Sequence, residues 1–286
     1  MKVWIEAARP RTLSAAIAPV LVGTAATETF IAWRFVLAML VSLSIQVGVN
    51  YANDLFDGLR GIDTEDRVGP RRATASGLVS PSAMKKAVAA SFGVAAVCGI
   101  ALSFAVGPEI LLVGVLSFVA ALGYSGGPRP YASAGLGEVF VFVFFGLVAT
   151  IGSAYVQVDR FVGIAAAAAV PVGLLATAIL IANNLRDIET DAKAGKRTLA
   201  VRLGRRGTVS VYRAVVLGSF LAVPSVCLWV DSLAPLLSWA ALPLAFPPLA
   251  LVGRSDDAHV LIRVLVGTAQ TQIVFSSMLA VGLWIS

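Results

Sequence analysis

Long apolar segments separated by polar connections are the feature that most restricts how this chain can fold. Of its 286 residues, 58% are hydrophobic and 13% are charged, whereas soluble domains carry about 25% charged residues. A membrane-spanning helix needs about 20 apolar residues, and the segments are long enough for this. The pattern predicts an all-α polytopic membrane protein with about nine transmembrane helices around a central cavity. The predicted helices are residues 12–31, 33–57, 82–106, 108–126, 135–157, 160–186, 207–230, 233–253 and 259–285.

The lysines and arginines are distributed very unevenly over the predicted connections. If the N-terminus lies in the cytoplasm, all 22 basic residues except Arg34 and Arg160 fall on the cytoplasmic side, as basic residues in short loops generally do. We therefore expect a multi-pass protein of the inner (plasma) membrane, with the N-terminus and the polar loops inside and the C-terminus outside. The first apolar segment is expected to remain as an uncleaved helix. This topology accounts for the net charge of +6, so no nucleic-acid partner is expected.

The end of the second predicted helix carries polar side chains within an otherwise apolar segment. Asn50, Asn53, Asp54 and Asp57 are spaced i, i+3, i+4 and i+7, which places them on one face of a helix. A charge at the middle of a membrane helix costs about 2.5–3.5 kcal/mol on insertion scales. These side chains are therefore expected to face a cavity, where paired carboxylates attract a hard cation.

A similar arrangement recurs at the end of the sixth predicted helix, where Asn184, Asp187 and Asp191 are spaced i, i+3 and i+7. Four helices separate the two acidic stretches, so both are expected to emerge on the same side of the membrane. We interpret the recurrence as a parallel duplication of a four-helix unit, residues 12–126 and 135–253. A last helix at 259–285 completes a single domain over residues 1–286.

Two acidic stretches that face each other at one membrane surface are suited to a diphosphate held by metal ions. Mg²⁺ takes oxygen ligands, typically one or two carboxylates together with phosphate oxygens. Basic side chains contact phosphates directly in many sites, although cytoplasmic loops are basic in any case. The basic residues that follow the acidic stretches are Arg60, Arg71 and Arg72 after the first, and Lys196 and Arg197 after the second.

These residues resemble two motifs of the UbiA-type intramembrane prenyltransferases. The first is Asn50-x-x-Asn53-Asp54-x-x-Asp57, followed by Asp63, and the second is Asp187-x-x-x-Asp191. Further stretches resemble the menaquinone branch of that family. They are residues 9–12, 124–128, 135–138, 183–191 and 195–204.

The resemblance implies Mg²⁺-dependent transfer of a polyprenyl group from its diphosphate to an aromatic acceptor, in a helical bundle with a lateral opening to the lipid bilayer. In the menaquinone branch the acceptor is 1,4-dihydroxy-2-naphthoate, its carboxyl group is lost, and the product is a demethylmenaquinol. The alternative acceptors in the family are 4-hydroxybenzoate, homogentisate, haem and a glycerol phosphate backbone. A secondary transporter is the alternative from another class, but transporter sites lie near the membrane midplane, whereas these acids lie at one surface.

The resemblance also assigns roles to individual residues. Mg²⁺ binding and catalysis are expected of Asp54, Asp57, Asp187 and Asp191. Substrate contacts are expected of Asn50, Asn53, Asn184, Lys196, Arg197, Tyr124 and Arg60. Tyr124, and after it Phe56 and Tyr51, are candidates for stabilising an allylic cation through their aromatic faces. The remaining candidates are Asp63 as an extra ligand or a residue that couples the cap loop, Arg11 or Arg129 as the partner of the acceptor carboxylate, and Glu138 in a structural role, in capping or in orienting a neighbour.

Overall fold

The computed structural model describes residues 1–60 and 72–286, and in this part of the chain all regular secondary structure is helical. Asp63 and Arg71 lie outside the described residues. Short helices occur at Lys2–Ala7, Pro10–Thr12 and Ile188–Lys193. The long apolar helices, in chain order, are α1 Ser14–Ala25, α2 Ala32–Leu59, α3 Pro81–Val106, α4 Glu109–Ser125, α5 Gly137–Val158, α6 Gly163–Arg186, α7 Leu199–Val230, α8 Ala234–Leu251 and α9 Ala258–Trp284.

Helix length and composition agree with a membrane protein. In the described part of the chain, seven helices are long and apolar enough to cross a membrane, and α1 and α4 are shorter apolar helices. The predicted all-α polytopic fold is thereby confirmed. The count of nine spans, the duplication and the orientation in the membrane stay predictions.

Three of the long helices contain irregular turns that the apolar pattern did not predict. The seventh helix, predicted to begin at residue 207, corresponds to the part of α7 after a kink at Gly204, and α7 has a further helical stretch before the kink, which begins at Leu199. There the Thr198 side chain accepts a hydrogen bond from the backbone N–H of Val201 at 3.3 Å and so caps the helix. Gly204, with φ 64°, then kinks α7 in a conformation that glycine tolerates best. Phe142–Val148 in α5 is π-helical, and Ala234–Ala241 in α8 is a 3₁₀-helix.

Burial is greater around α6, in the second half of the bundle, than around α2. In an apolar stretch of 18 residues, 67% of α6 is buried, whereas 22% of the corresponding stretch of α2 is buried. Alanines give α6 a narrow surface that lets α1, α7 and α9 approach closely. Where α5 crosses α6, a Cβ added to Gly146 would lie 2.6 Å from the Cα of Gly173. This close crossing fixes how the second acidic stretch, at the end of α6, is placed relative to α5.

The end of the bundle opposite the acidic stretches is held together by Arg34. Its Nη1 donates to the carbonyl oxygens of Val156 at 3.1 Å and Gln157 at 3.4 Å, and its Nη2 donates to that of Ala105 at 3.4 Å. These carbonyls lie at the C-terminal ends of α5 and α3, where a cation is electrostatically favourable. Arg34 therefore links α2 to two neighbouring helices at this end.

Candidate active site

Helices α1 to α6 contribute residues to the wall of a cavity of about 570 Å³. On α2 the lining residues run from Ala38 to Asn53, which corresponds to about 22 Å of helix at 1.5 Å per residue. Most of the wall is apolar. Its amide, arginine and tyrosine side chains are concentrated toward the end that carries the acidic stretches, and we call this end the polar mouth. The polar mouth is formed by Arg9, Thr12, Gln46, Asn50, Asn53, Tyr124 and Asn183.

Lys196 joins the two acidic stretches beside the polar mouth. Its Nζ lies 3.3 Å from Oδ2 of Asp57 and 3.7 Å from Oδ1 of Asp191. Nη2 of Arg72 also lies 3.2 Å from Oδ2 of Asp57. The Asp57 side chain is 7% exposed and that of Asp191 is 13% exposed, so solvent screens these ion pairs only partly. One carboxylate from each stretch therefore meets at a single ammonium group.

Asp187 lies where the second stretch changes direction. α6 ends at Arg186 and a new helix begins at Ile188, so the stretch is not the continuous helix that its spacing predicted. The backbone N–H of Asp191 still donates to the carbonyl oxygen of Asp187 at 2.8 Å, which limits the bend. Arg186 donates from Nε and Nη2 to the two carboxylate oxygens of Asp187, each at 2.7 Å. This bidentate pair is buried and holds the Asp187 carboxylate in a fixed orientation.

Asp54 lies on α2 one turn before Asp57, and its carboxylate accepts hydrogen bonds from the backbone. Ala73 N–H donates to Oδ2 and Thr74 N–H donates to Oδ1, both at 2.8 Å. Of the four predicted metal ligands, Asp54 is the most buried, at 2% exposure.

The predicted amide residues divide between two environments. Nδ2 of Asn50 donates to the carbonyl of Ala8 at 2.8 Å, and Oδ1 of Asn53 accepts from Ser125 Oγ at 2.6 Å. Both line the polar mouth. Asn184 does not line the cavity; its Nδ2 donates to Oε1 of buried Glu138 at 2.9 Å. Glu138 is therefore the hydrogen-bond partner of the Asn184 side chain.

Tyr124 begins a row of aromatic side chains along the cavity wall. Its ring meets Tyr131 edge to face at 5.5 Å, and Tyr131 stacks on Phe140 with ring centres 3.9 Å apart. Burial raises the pKa of the Tyr131 hydroxyl, which keeps its proton and donates to the Ala120 carbonyl. Tyr51 instead packs against Trp4 near the N-terminus, and Phe56 packs against Gly126.

The remaining predicted basic residues are at the periphery of the site. Arg60 is exposed and donates to the Gly127 carbonyl at 2.5 Å. Arg197 is exposed, and its backbone N–H donates to the Ser133 carbonyl at 2.9 Å. Both contacts attach the acidic end to the loop between α4 and α5. Arg129 is exposed, and Arg11 lines a separate groove beside α9.

Sequence reasoning missed two features of the polar mouth. Gln46 extends the polar face of α2 by one turn, since it lies four residues before Asn50, and this spacing was a usable signal. Arg9 lines the mouth with a left-handed backbone, φ 52°, between the short helices at Lys2–Ala7 and Pro10–Thr12. Such a conformation is uncommon for a residue other than glycine, and no sequence signal indicates it.

The fit of these residues to a metal ion is determined by Asp57 and Asp191. Within residues 1–60 and 72–286, no group of three or more acidic, histidine or cysteine side chains is close enough to hold a metal ion. Two carboxylates that share one cation do fit Mg²⁺, because this ion usually takes its other ligands from phosphate groups and water. Asp57 and Asp191 are the described residues placed to do so.

The fold and the site together define a polytopic membrane protein with a largely apolar cavity that carries polar side chains at one end. The UbiA prenyltransferase family matches residues 16–284, and the chain belongs to this family. The resemblance inferred from the motifs is thereby confirmed.

Relatives and solved structures agree with this assignment. The 1,4-dihydroxy-2-naphthoate octaprenyltransferase of Mycobacterium tuberculosis is 44% identical over 251 residues, 87% of this chain and 83% of the relative. The Escherichia coli protein of that name is 34% identical over 300 residues, 99% and 95% of the two chains. The fold is similar to that of a UbiA homolog from Archaeoglobus fulgidus bound to GPP and Mg²⁺, with a TM-score of 0.67, 16% identity, and coverage of 97% and 99%.

Proposed function

We propose that this protein transfers a polyprenyl group from its diphosphate to 1,4-dihydroxy-2-naphthoate, with loss of the carboxyl group, to give demethylmenaquinol in menaquinone biosynthesis. The names of relatives that align with most of the chain support the acceptor and the pathway. The structural observation that carries the proposal is the meeting of Asp57 and Asp191 at Lys196, beside an apolar cavity. A diphosphate with its metal ion fits the polar end, and a prenyl chain fits the apolar wall.

The diphosphate is proposed to lie between the two acidic stretches. Mg²⁺, when bound, neutralises the negative charge that develops on the departing diphosphate. Asp57 and Asp191 would hold it, while Asp187 supports this end through its pair with Arg186. Lys196 and Arg72 add positive charge at the same place, where they bind phosphate oxygens and stabilise the leaving group.

The prenyl chain is proposed to lie along the apolar wall of the cavity. Each CH₂ group removed from water contributes about 0.8 kcal/mol, although a chain that comes from lipid gains mainly contacts with the wall. The cavity excludes water from the carbon that loses the diphosphate, so hydrolysis is suppressed. Tyr124 belongs to the polar mouth and is the first member of the aromatic row, where its ring can stabilise positive charge on that carbon.

The acceptor is proposed to bind at the polar mouth with its carboxylate toward Arg9. Arg9 is the arginine among the described cavity-lining residues, whereas the predicted candidates Arg11 and Arg129 lie elsewhere. Asn50 and Thr12 supply polar contacts beside it. The mouth is proposed to face the cytoplasm of a bacterial inner membrane, because the basic residues are concentrated on that side.

The proposal is tested with the purified protein, a labelled polyprenyl diphosphate, Mg²⁺ and a panel of acceptors. We expect a prenylated product from 1,4-dihydroxy-2-naphthoate, release of labelled CO₂ from its carboxyl group, and loss of product when Mg²⁺ is chelated. A product formed with 4-hydroxybenzoate or homogentisate, and none with the naphthoate, would replace the acceptor and keep the reaction class. No product with any acceptor would reject the enzyme proposal.

A further inference from the structure

Asp54 makes its contacts with the chain that returns to α2 after residue 71. Both of its carboxylate oxygens accept backbone N–H groups, from Ala73 and Thr74, at 2.8 Å. Hydrogen bonds to a charged acceptor are stronger than neutral ones, and at 2% exposure this carboxylate has little competition from water. Asp54 is therefore in a position to fix the backbone at residues 73 and 74.

A second, independent contact shows that α2 is shaped to receive this segment. Gly58 lies one turn after Asp54 on the same face, and a Cβ added to it would lie 3.1 Å from both Cβ and Cγ2 of Thr74. Ala73 is 1% exposed and packs in a small apolar cluster with Leu55. The segment from residue 72 to residue 79 then closes on itself, since the Val79 N–H donates to the Ala73 carbonyl at 3.0 Å.

The segment anchored in this way begins with Arg72, whose Nη2 lies 3.2 Å from Oδ2 of Asp57. The backbone of Ala73, fixed by Asp54, is directly joined to that arginine. We infer that Asp54 is a positioning residue, which holds Arg72 at Asp57 through the backbone of Ala73 and Thr74, and that it is not itself a metal ligand. This inference rests on the proposed function only for the role given to Asp57.

Hydrogen exchange tests the anchoring without any substrate. In Asp54→Asn the amide oxygen can still accept one backbone N–H group, but without a full negative charge, and the NH₂ group cannot accept the other. The peptide that contains Ala73 and Thr74 should therefore exchange about 10-fold faster or more. Gly58→Ala leaves the carboxylate intact but displaces Thr74, and a smaller increase is expected. Asp256→Asn, which removes an exposed carboxylate that pairs with Arg205, is the control, with exchange of this peptide unchanged. Unchanged exchange in Asp54→Asn would overturn the anchoring, whatever acceptor the enzyme uses.

A double-mutant cycle tests whether Asp54 acts through Arg72. If it does, Asp54→Asn should reduce kcat/KM for the polyprenyl diphosphate about 10-fold in the wild-type background but less than about 3-fold in Arg72→Gln. A metal ligand would act independently, so its losses would multiply in the double variant. Mn²⁺ binding, measured by electron paramagnetic resonance with inorganic pyrophosphate present, should persist in Asp54→Asn. Multiplied losses, or loss of Mn²⁺ binding in Asp54→Asn with the peptide still protected, would make Asp54 a ligand.

Discussion

In both acidic stretches the two carboxylates have different roles, but the protein groups that contact them differ between the stretches. In each stretch the later acid, Asp57 or Asp191, reaches Lys196. The earlier acid, Asp54 or Asp187, is held by protein groups, in one case two backbone N–H groups and in the other the guanidinium of Arg186. A carboxylate whose oxygens are both bonded to protein groups stabilises the site. Two carboxylates that share one ammonium group are instead suited to bind a metal ion between them.

The largest expected effect comes from removing one of the acids that meet at Lys196. Asp57→Asn and Asp191→Asn should each lower kcat/KM by about 10³–10⁴-fold, because the charge stabilisation that a metal ion supplies is worth several kcal/mol. Steady-state kinetics with the polyprenyl diphosphate measures this. Asp256→Asn is the matched control, since Asp256 has a 79% exposed side chain far along the sequence. A near-normal rate in either variant would remove that residue from the metal site.

The next largest effect is on the free energy of unfolding, which should fall more when Asp187 is replaced than when Asp54 is replaced. Asp187→Leu leaves the buried Arg186 without its carboxylate, which should cost about 3 kcal/mol or more of unfolding free energy. Asp54→Leu leaves only neutral backbone donors, at about 1–3 kcal/mol. Denaturant unfolding in detergent measures both. The double variant Arg186→Met with Asp187→Leu should regain most of the loss, and failure to regain it would show that Asp187 stabilises the site through other contacts.

Much of this arrangement follows from spacing in the sequence. The polar stripe from Asn50 to Asp57 predicted a cavity on one face of α2, and the structure places Asn50 and Asn53 on that cavity. The division between the earlier and later acids was not predictable, because it depends on which groups return to each helix end from distant parts of the chain. Lys196 is 139 positions from Asp57, and nothing in the local pattern assigns it to that carboxylate rather than to solvent.

The cavity face of α5 is a second feature that the α-helical period of 3.6 residues does not predict. Its lining residues recur every four positions, as in Phe140, Phe144 and Val148. At 3.6 residues per turn such a row drifts by about 40° per step. The π-helix at Phe142–Val148 takes more residues into each turn and keeps the row facing the cavity. A pattern read with the α-helical period alone does not predict this.

Lys196 itself gives an intermediate effect that links the two stretches. Lys196→Met removes one charge-assisted contact to the diphosphate, so KM for the polyprenyl diphosphate should rise about 10–100-fold. Without the ammonium group, Asp57 and Asp191 repel each other until a metal ion binds. Thermal unfolding should therefore show a larger stabilisation by Mg²⁺ in Lys196→Met than in the wild type. Equal stabilisation in the two proteins would indicate that Mg²⁺ does not bind between these carboxylates.

The smallest effect distinguishes the amides of the two stretches. Asn53 lines the cavity, so Asn53→Leu should lower kcat/KM about 10-fold, with the Ser125 hydroxyl left unpaired. Asn184 faces Glu138 away from the cavity, so Asn184→Leu should cost about 1–2 kcal/mol of unfolding free energy and change kcat/KM less than about 3-fold. Glu138→Gln preserves an acceptor for Asn184 and serves as the control. If Asn184→Leu lost activity as Asn53→Leu does, both amides would act on substrate, and the two stretches would be functionally equivalent at this position.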